Sequence, residues 1–143
     1  MNPLELLSQA YTRAVDAAHP SKHLTQYLPE LPKGRLIVVG AGKAAASMAQ
    51  AVEAHYPHDK LDGLVITRYG HALPTRKIEV VEASHPVPDL AGQQATQTLL
   101  GKLHGLSHDD LVVCLISGGG SALLVSPDGL TLEQKAYLQK LSR

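Results

Sequence analysis

The sequence predicts an α/β fold, a Rossmann-like, doubly wound, mostly parallel sheet with helices on both faces. Three observations predict it. Four short aliphatic runs, Arg35–Val39, Asp62–Thr67, Ile78–Ala83 and Leu111–Ile116, have the length and β-branched content of buried strands. Helical spacing separates the first run from the second and the third from the fourth, which calls for parallel crossovers. Each run empties into a glycine-rich or polar turn, GAGK, TRYGH, SHPVPD and SGGGS in chain order, on the side where such sheets bind ligands.

Each element has its own signal. Leu4, Leu7, Tyr11, Ala14 and Ala18 recur at three and four, giving one apolar stripe on a helix capped by Asn2 and opened by Pro3. His19-Pro20 ends it, a short second helix is expected over Ser21–Leu28, and Pro29 and Pro32 force an irregular stretch. From Gly42 to His55, Ala45, Met48, Val52 and Tyr56 return to helical spacing. Asp89 caps a further helix buried along Ala95, Leu99 and Leu103 and closed by Gly105. Leu111–Ile116 (LVVCLI) is the most apolar segment and is expected to be a central strand, with Cys114 as a small core residue. Beyond it, Ser121–Leu124 is expected to begin a helical turn, and Thr131 with Gln134 forms a capping box for a last helix carrying Leu138 and Leu141. That helix stops at Arg143 without glycine or proline, so the chain is expected to be the front part of a longer protein and its domain incomplete. The expected organisation is a helical segment over 1–34 and the Rossmann-like region over 35–143.

Composition narrows the function. In 143 residues, 13 Lys+Arg balance 13 Asp+Glu, and Trp and Phe are absent. Neither a charge surplus nor an aromatic platform serves nucleic acid. The N-terminus lacks a basic region before an apolar run, and no span approaches the ~20 apolar residues of a membrane helix, so a cytoplasmic protein is expected. One cysteine rules out an internal disulfide.

Gly40-Ala41-Gly42-Lys43-Ala44-Ala45 has the G-x-G-x-x-A spacing of a dinucleotide turn between strand and helix. It is not a Walker A loop, because Ile37 stands where the first glycine belongs and Ala44 where Ser or Thr binds Mg²⁺. A tight turn without ligand has the same pattern. No acid ends the second strand; Arg68 stands there and suits an NADP 2′-phosphate. Lys43, expected in the first turn of a helix, meets an already positive macrodipole, a penalty that a bound anion removes. Ser117-Gly118-Gly119-Gly120-Ser121 offers successive backbone N–H groups and left-handed dihedrals, including at Gly119, for an anion nest. His71 and His85, in the loops TRYGH and SHPVPD, are candidate substrate contacts or proton carriers.

Taken together and in this order, VVGAGKAAASMA, TRYGHA, EASHPVPD and ISGGGSALL resemble the N-terminal region of the bacterial glycerate 2-kinase family. Its members are often named hydroxypyruvate reductase or tartrate-utilisation protein and carry a C-terminal MOFRL domain, which these 143 residues are expected not to include. Ser84 departs from the family's glycine before His-Pro. The resemblance implies ATP-dependent, Mg²⁺-assisted phosphorylation of D-glycerate to 2-phosphoglycerate, in a cleft between two domains. It makes Lys43 the active-site lysine and Ser117, Gly118, Gly119, Gly120 and Ser121 the phosphate contacts, to which the G-x-G-x-x-A spacing adds Gly40 and Gly42 as expected nucleotide contacts. Arg68, His71 and His85 are the expected substrate contacts, and no residue is assigned to metal. Two other classes stay open, an NADP-dependent hydroxypyruvate reductase and a noncatalytic nucleotide-binding or assembly module. The expected partners are glycerate and ATP, with a homo-oligomer or pairing with the missing remainder, and no nucleic acid or membrane.

Overall fold

A computed structural model describes residues 2–142. Met1 and Arg143, which bound the expected organisation, lie outside the described residues. The elements follow as α1 (Pro3–Ala17), α2 (Pro20–His23), a 3-10 turn (Leu24–Tyr27), β1 (Leu36–Gly42), α3 (Ala45–His55), β2 (Leu61–Arg68), β3 (Ile78–Ala83), α4 (Leu90–Lys102), β4 (Leu111–Ser117) and α5 (Leu132–Leu141). The four strands pair in the order β3-β2-β1-β4, and every pairing is parallel.

Strand parity sorts the core into two layers, because successive side chains leave a strand on opposite faces. Leu36 and Val38 of β1 pack with Ala45, Ala49 and Val52 of α3. Ile37, Val39 and Ala41 pack on the other face with Ala95 and Leu99 of α4. Small alanines at 45, 46 and 49 bring α3 close to the sheet. At the amino ends, Asp110 accepts from the Arg35 and Ser107 backbone N–H groups and pairs with the Arg35 guanidinium. The Ser107 N–H and then the Arg35 N–H hold its carboxyl well below the usual range.

The caps are the expected ones. Asn2 accepts from Leu4 and forms a capping box with Glu5, Asp89 accepts from Gly92, and Thr131 and Gln134 form the second box. The α1 stripe covers nothing: Leu4, Leu7 and Tyr11 are all exposed.

Two expectations fail at β4. It ends the sheet rather than lying centrally, and Cys114 is exposed rather than in the core. Leu111, Val113 and Leu115 face the α3 layer. Val112, Cys114 and Ile116 point to the other face, where α4 sits over β2 and β3 and leaves them uncovered.

A third feature has no helical signal. Residues 69–77, nine in all, carry the chain from the carboxyl end of β2 to the amino end of its parallel neighbour β3. Parallel partners ordinarily need a dozen or more connecting residues. Retracing a six-residue strand takes ~20 Å of the ~30 Å that nine residues can reach, so this strap runs largely extended. Buried Glu53 of α3 anchors its end, accepting from the backbone N–H groups of Arg76, Lys77 and Ile78 at 2.6–3.0 Å. Burial opposes the Glu53 charge, but the N–H groups of Ile78, Lys77 and Arg76 outweigh it and lower its pKa. The Gln50 side chain holds the Pro74 carbonyl at 2.8 Å.

Candidate functional site

The order β3-β2-β1-β4 reverses direction between β1 and β4, since β1 is followed through α3 to β2 on one side and β4 lies on the other. A crevice opens at the carboxyl ends of strands flanking such a switch point. The turn Gly42–Ala44 and the loop Ser117–Ser121 therefore lie side by side.

The two glycine sets at this crevice differ. A methyl at Gly40 would collide with the Leu115 carbonyl, and one at Gly42 with Ser117. Gly42 also has φ +135°, so the spacing read as a dinucleotide turn is explained by the approach of β4. Strand β1 extends through Gly42, further than its aliphatic run suggested, because Gly42 stays in register with Ser117. After β4 the situation inverts. Nothing lies within 4 Å of the Cβ directions of Gly118 or Gly119, and Gly120 meets only ordinary contact with Ala41. Gly118 carries the left-handed dihedral, φ +70°; Gly119 does not, contrary to expectation. The dihedral falls on Gly118 because it is the first residue to leave the strand.

The open loop is pinned at both ends. The Ser117 Oγ accepts the Ala44 backbone N–H at 2.9 Å, bridging the two turns. Downstream, the N–H groups of Leu123 and Leu124 donate to the Gly120 carbonyl, a single turn with no helix following. Leu123 is fully buried, and the Thr96 hydroxyl of α4 accepts the Val125 N–H at 2.8 Å. Such anchoring distinguishes the segment from a flexible connector.

Lys43 is exposed and lies just before Ala44, the cap of α3, rather than in the first helical turn. Its carbonyl takes the buried Thr67 hydroxyl at 3.5 Å. Among the described residues no carboxylate pairs with its ammonium. The site therefore presents a cation and, beside it, amides of a glycine loop.

Arg68, His71 and His85 fall at the ends of β2 and β3, further along the same edge. Strands are ~4.8 Å apart, so about 14 Å separates the end of β3 from that of β4. His85 and Gly118 thus lie at opposite ends of the edge; Arg68 follows Thr67, whose hydroxyl reaches the Lys43 carbonyl, and His71 lies towards β3, its N–H on Glu82. Two carboxylates organise this end: Glu82, which sequence reasoning missed, and Asp89, read from the sequence only as a helix cap. Glu82 of β3 accepts the His71 and Ala72 N–H groups, each at 3.1 Å. Asp89 Oδ1 caps α4 through Gly92, while its Oδ2 accepts the Tyr69 phenol at 2.8 Å. Burial works against the Asp89 charge, but the Gly92 N–H and Tyr69 O–H prevail and lower its pKa. The same bond, first among its causes, raises that of Tyr69. Glu82 shares a register line with Thr67 across the β2–β3 pair, a neighbour relation visible only once the strap is known to return β3 in parallel.

Among the described residues no helix is long and apolar enough to cross a membrane. Nor do three or more His, Cys, Asp or Glu side chains converge as a metal site. The described donor set thus does not itself form a Mg²⁺ cage.

A family model described as a domain of unknown function, DUF4147, matches residues 6–142. A protein of Agrobacterium vitis named putative hydroxypyruvate reductase is 52% identical over 132 residues, covering 92% of this chain and 30% of its own length. A Thermotoga maritima protein named D-glycerate 2-kinase is 36% identical over 140 residues, covering 96% and 33%. The crystal structure of a glycerate kinase from Thermotoga maritima superposes with a TM-score of 0.76 at 33% identity, over 96% of this chain and 33% of that one. The chain spans about a third of the length of these relatives.

Proposed function

The chain belongs to the DUF4147 family, and from that premise we propose that it forms the nucleotide-phosphate wall of a kinase that transfers the γ-phosphoryl group of ATP to the 2-hydroxyl of D-glycerate. One observation carries the reading: an anchored glycine loop, open at Gly118 and Gly119, flanks a lysine that no carboxylate of the described residues pairs, at the switch point of a parallel sheet. Phosphoryl transfer demands positioned cations and backbone donors more than a covalent residue. The amides of Gly118–Ser121 hold phosphate oxygens, with Gly118 supplying the left-handed turn that lets consecutive N–H groups converge. Lys43 neutralises charge on the transferring group, where it concentrates in the transition state. Gly40 and Gly42 act indirectly, by letting β4 approach so that Ser117 can hold the Lys43 turn. Arg68 and His71 face the hydroxy acid. Mg²⁺, when bound, would neutralise phosphate charge in such a reaction.

The experiment is a coupled ADP-release assay with D-glycerate on the full-length protein. Lys43→Ala should lower kcat about a hundredfold, by analogy with loss of one oxyanion donor, while ATP binding changes much less. Unaltered turnover in that variant would contradict the role. A second reading, an NADP-dependent hydroxypyruvate reductase, is favoured by Arg68 at the end of β2. Against it, the space at Gly42 is taken by Ser117 rather than left for a pyrophosphate. Titration of nicotinamide fluorescence beside an ATP titration separates the two.

A further inference from the structure

Three carboxylates tie down the β2–β3 strap: Glu53 and Glu82 accept backbone N–H groups at its two ends, and Asp89 accepts the Tyr69 phenol. Glu53 grips the strap's far end, beside the start of β3. Glu82 and Asp89 grip its near end, where the chain leaves Arg68. Single-acceptor geometry is demanding there: one oxygen, Glu82 Oε1, takes both the His71 and Ala72 N–H groups, and His71 N–H also reaches the Arg68 carbonyl at 3.1 Å. The turn is thereby closed on Arg68 at one side and tied to β3 at the other. Tyr69, between them, hydrogen-bonds Asp89 across to the start of α4 and donates its own N–H to the Ala83 carbonyl at 3.2 Å.

We propose that Glu82 and Asp89 are positioning residues for the hydroxy-acid substrate, holding the turn Tyr69–Ala72 so that Arg68 and His71 meet its carboxylate and hydroxyl groups. The inference rests on the kinase reading. Glu82 has a role that packing does not demand, since its partners are exposed or half-buried loop amides that water can satisfy as well. What water cannot do is fix the loop in one arrangement before the substrate arrives. Because this turn lies at the β2–β3 end of the edge and the open glycine loop at the β4 end, loosening it acts on the acceptor and leaves the nucleotide site alone.

The test uses the full-length protein with Glu82→Ala, Glu82→Gln and Tyr69→Phe, measuring KM for D-glycerate and for ATP separately alongside melting temperature. Misplacement of ~1 Å already costs on the order of a hundredfold, so a partial loosening by Glu82→Ala should raise the glycerate KM about tenfold, with the ATP KM within about twofold of the parent. Glu82→Gln keeps an oxygen acceptor at the same reach and should return the glycerate KM to within about twofold. Tyr69→Phe, which removes one O–H only, should raise it about threefold and serves as the deciding variant if Glu82→Ala does not fold. Unshifted glycerate KM, or parallel shifts in both KM values, in an active enzyme overturns the inference alone. Absence of glycerate-dependent turnover in the parent overturns the kinase reading and the inference with it.

Discussion

Strands β1 and β4 are neighbours of equal length, both almost entirely aliphatic, and they have opposite fates. Every residue of β1 is buried, whereas β4 buries only Leu115 fully and exposes Val112, Cys114 and Ile116 on the face that α4 does not reach. Their glycines are opposite in the same sense. The space at those ending β1 is filled by β4, whereas Gly118 and Gly119 after β4 face open space. Glycine beside a neighbouring strand is a packing requirement; open glycine at the carboxyl edge of the sheet leaves the space that the proposed phosphate site uses. The function assigned to this edge rests on that difference.

The largest expected effect comes from closing the wrong gap. Gly40→Ala drives a methyl into the Leu115 carbonyl and must prise β1 from β4, at a cost of about 3 kcal/mol in urea denaturation. Next, the two strands should answer differently to loss of the same side chain. Ile37→Ala, in the layer under α4, should cost about 3 kcal/mol, and Ile116→Ala, 48% exposed on the same face, less than about 1 kcal/mol. Equal costs would mean that β4 is covered in solution.

A smaller effect sharpens the comparison on the other side of β1. Glu53 has a folded-state pKa below its ordinary 4.5. Its contribution is therefore present above about pH 4.5 and is lost as pH falls through the folded-state value. Glu53→Gln should cost about 1 to 2 kcal/mol at neutral pH and flatten the acid limb of a stability profile. An unchanged acid limb would show that the strap is held by other groups.

The elements themselves were legible in the chain because hydrophobic period and capping residues are local. β3, the Asn2 and Asp89 caps and the Thr131–Gln134 box stand where they were read, and the resemblance to the glycerate 2-kinase family is borne out by the relatives found. The parallel sheet with a helix on each face was legible too, but several finer relations between neighbours were not. LVVCLI has the composition of a strand covered on both faces, but composition does not say which helix covers it. GAGKAA has the spacing of a phosphate turn, yet spacing cannot distinguish a glycine needed by a ligand from one needed by the next strand. Glu53 and Glu82 lie at ordinary polar positions, and their work shows only when a helix-free parallel crossover brings loop amides to them.

The central claim is that the open loop after β4 holds phosphate, and calorimetric titration of ATP into full-length Gly119→Val tests it most directly. Gly119 has neither a left-handed dihedral nor a neighbour within 4 Å of its Cβ direction, so valine is accommodated by the protein itself. The account predicts a melting temperature close to that of the parent and ATP affinity weakened about tenfold, because the branched side chain occupies the space in which phosphate approaches the amides. Parent-like affinity in the folded variant would contradict it.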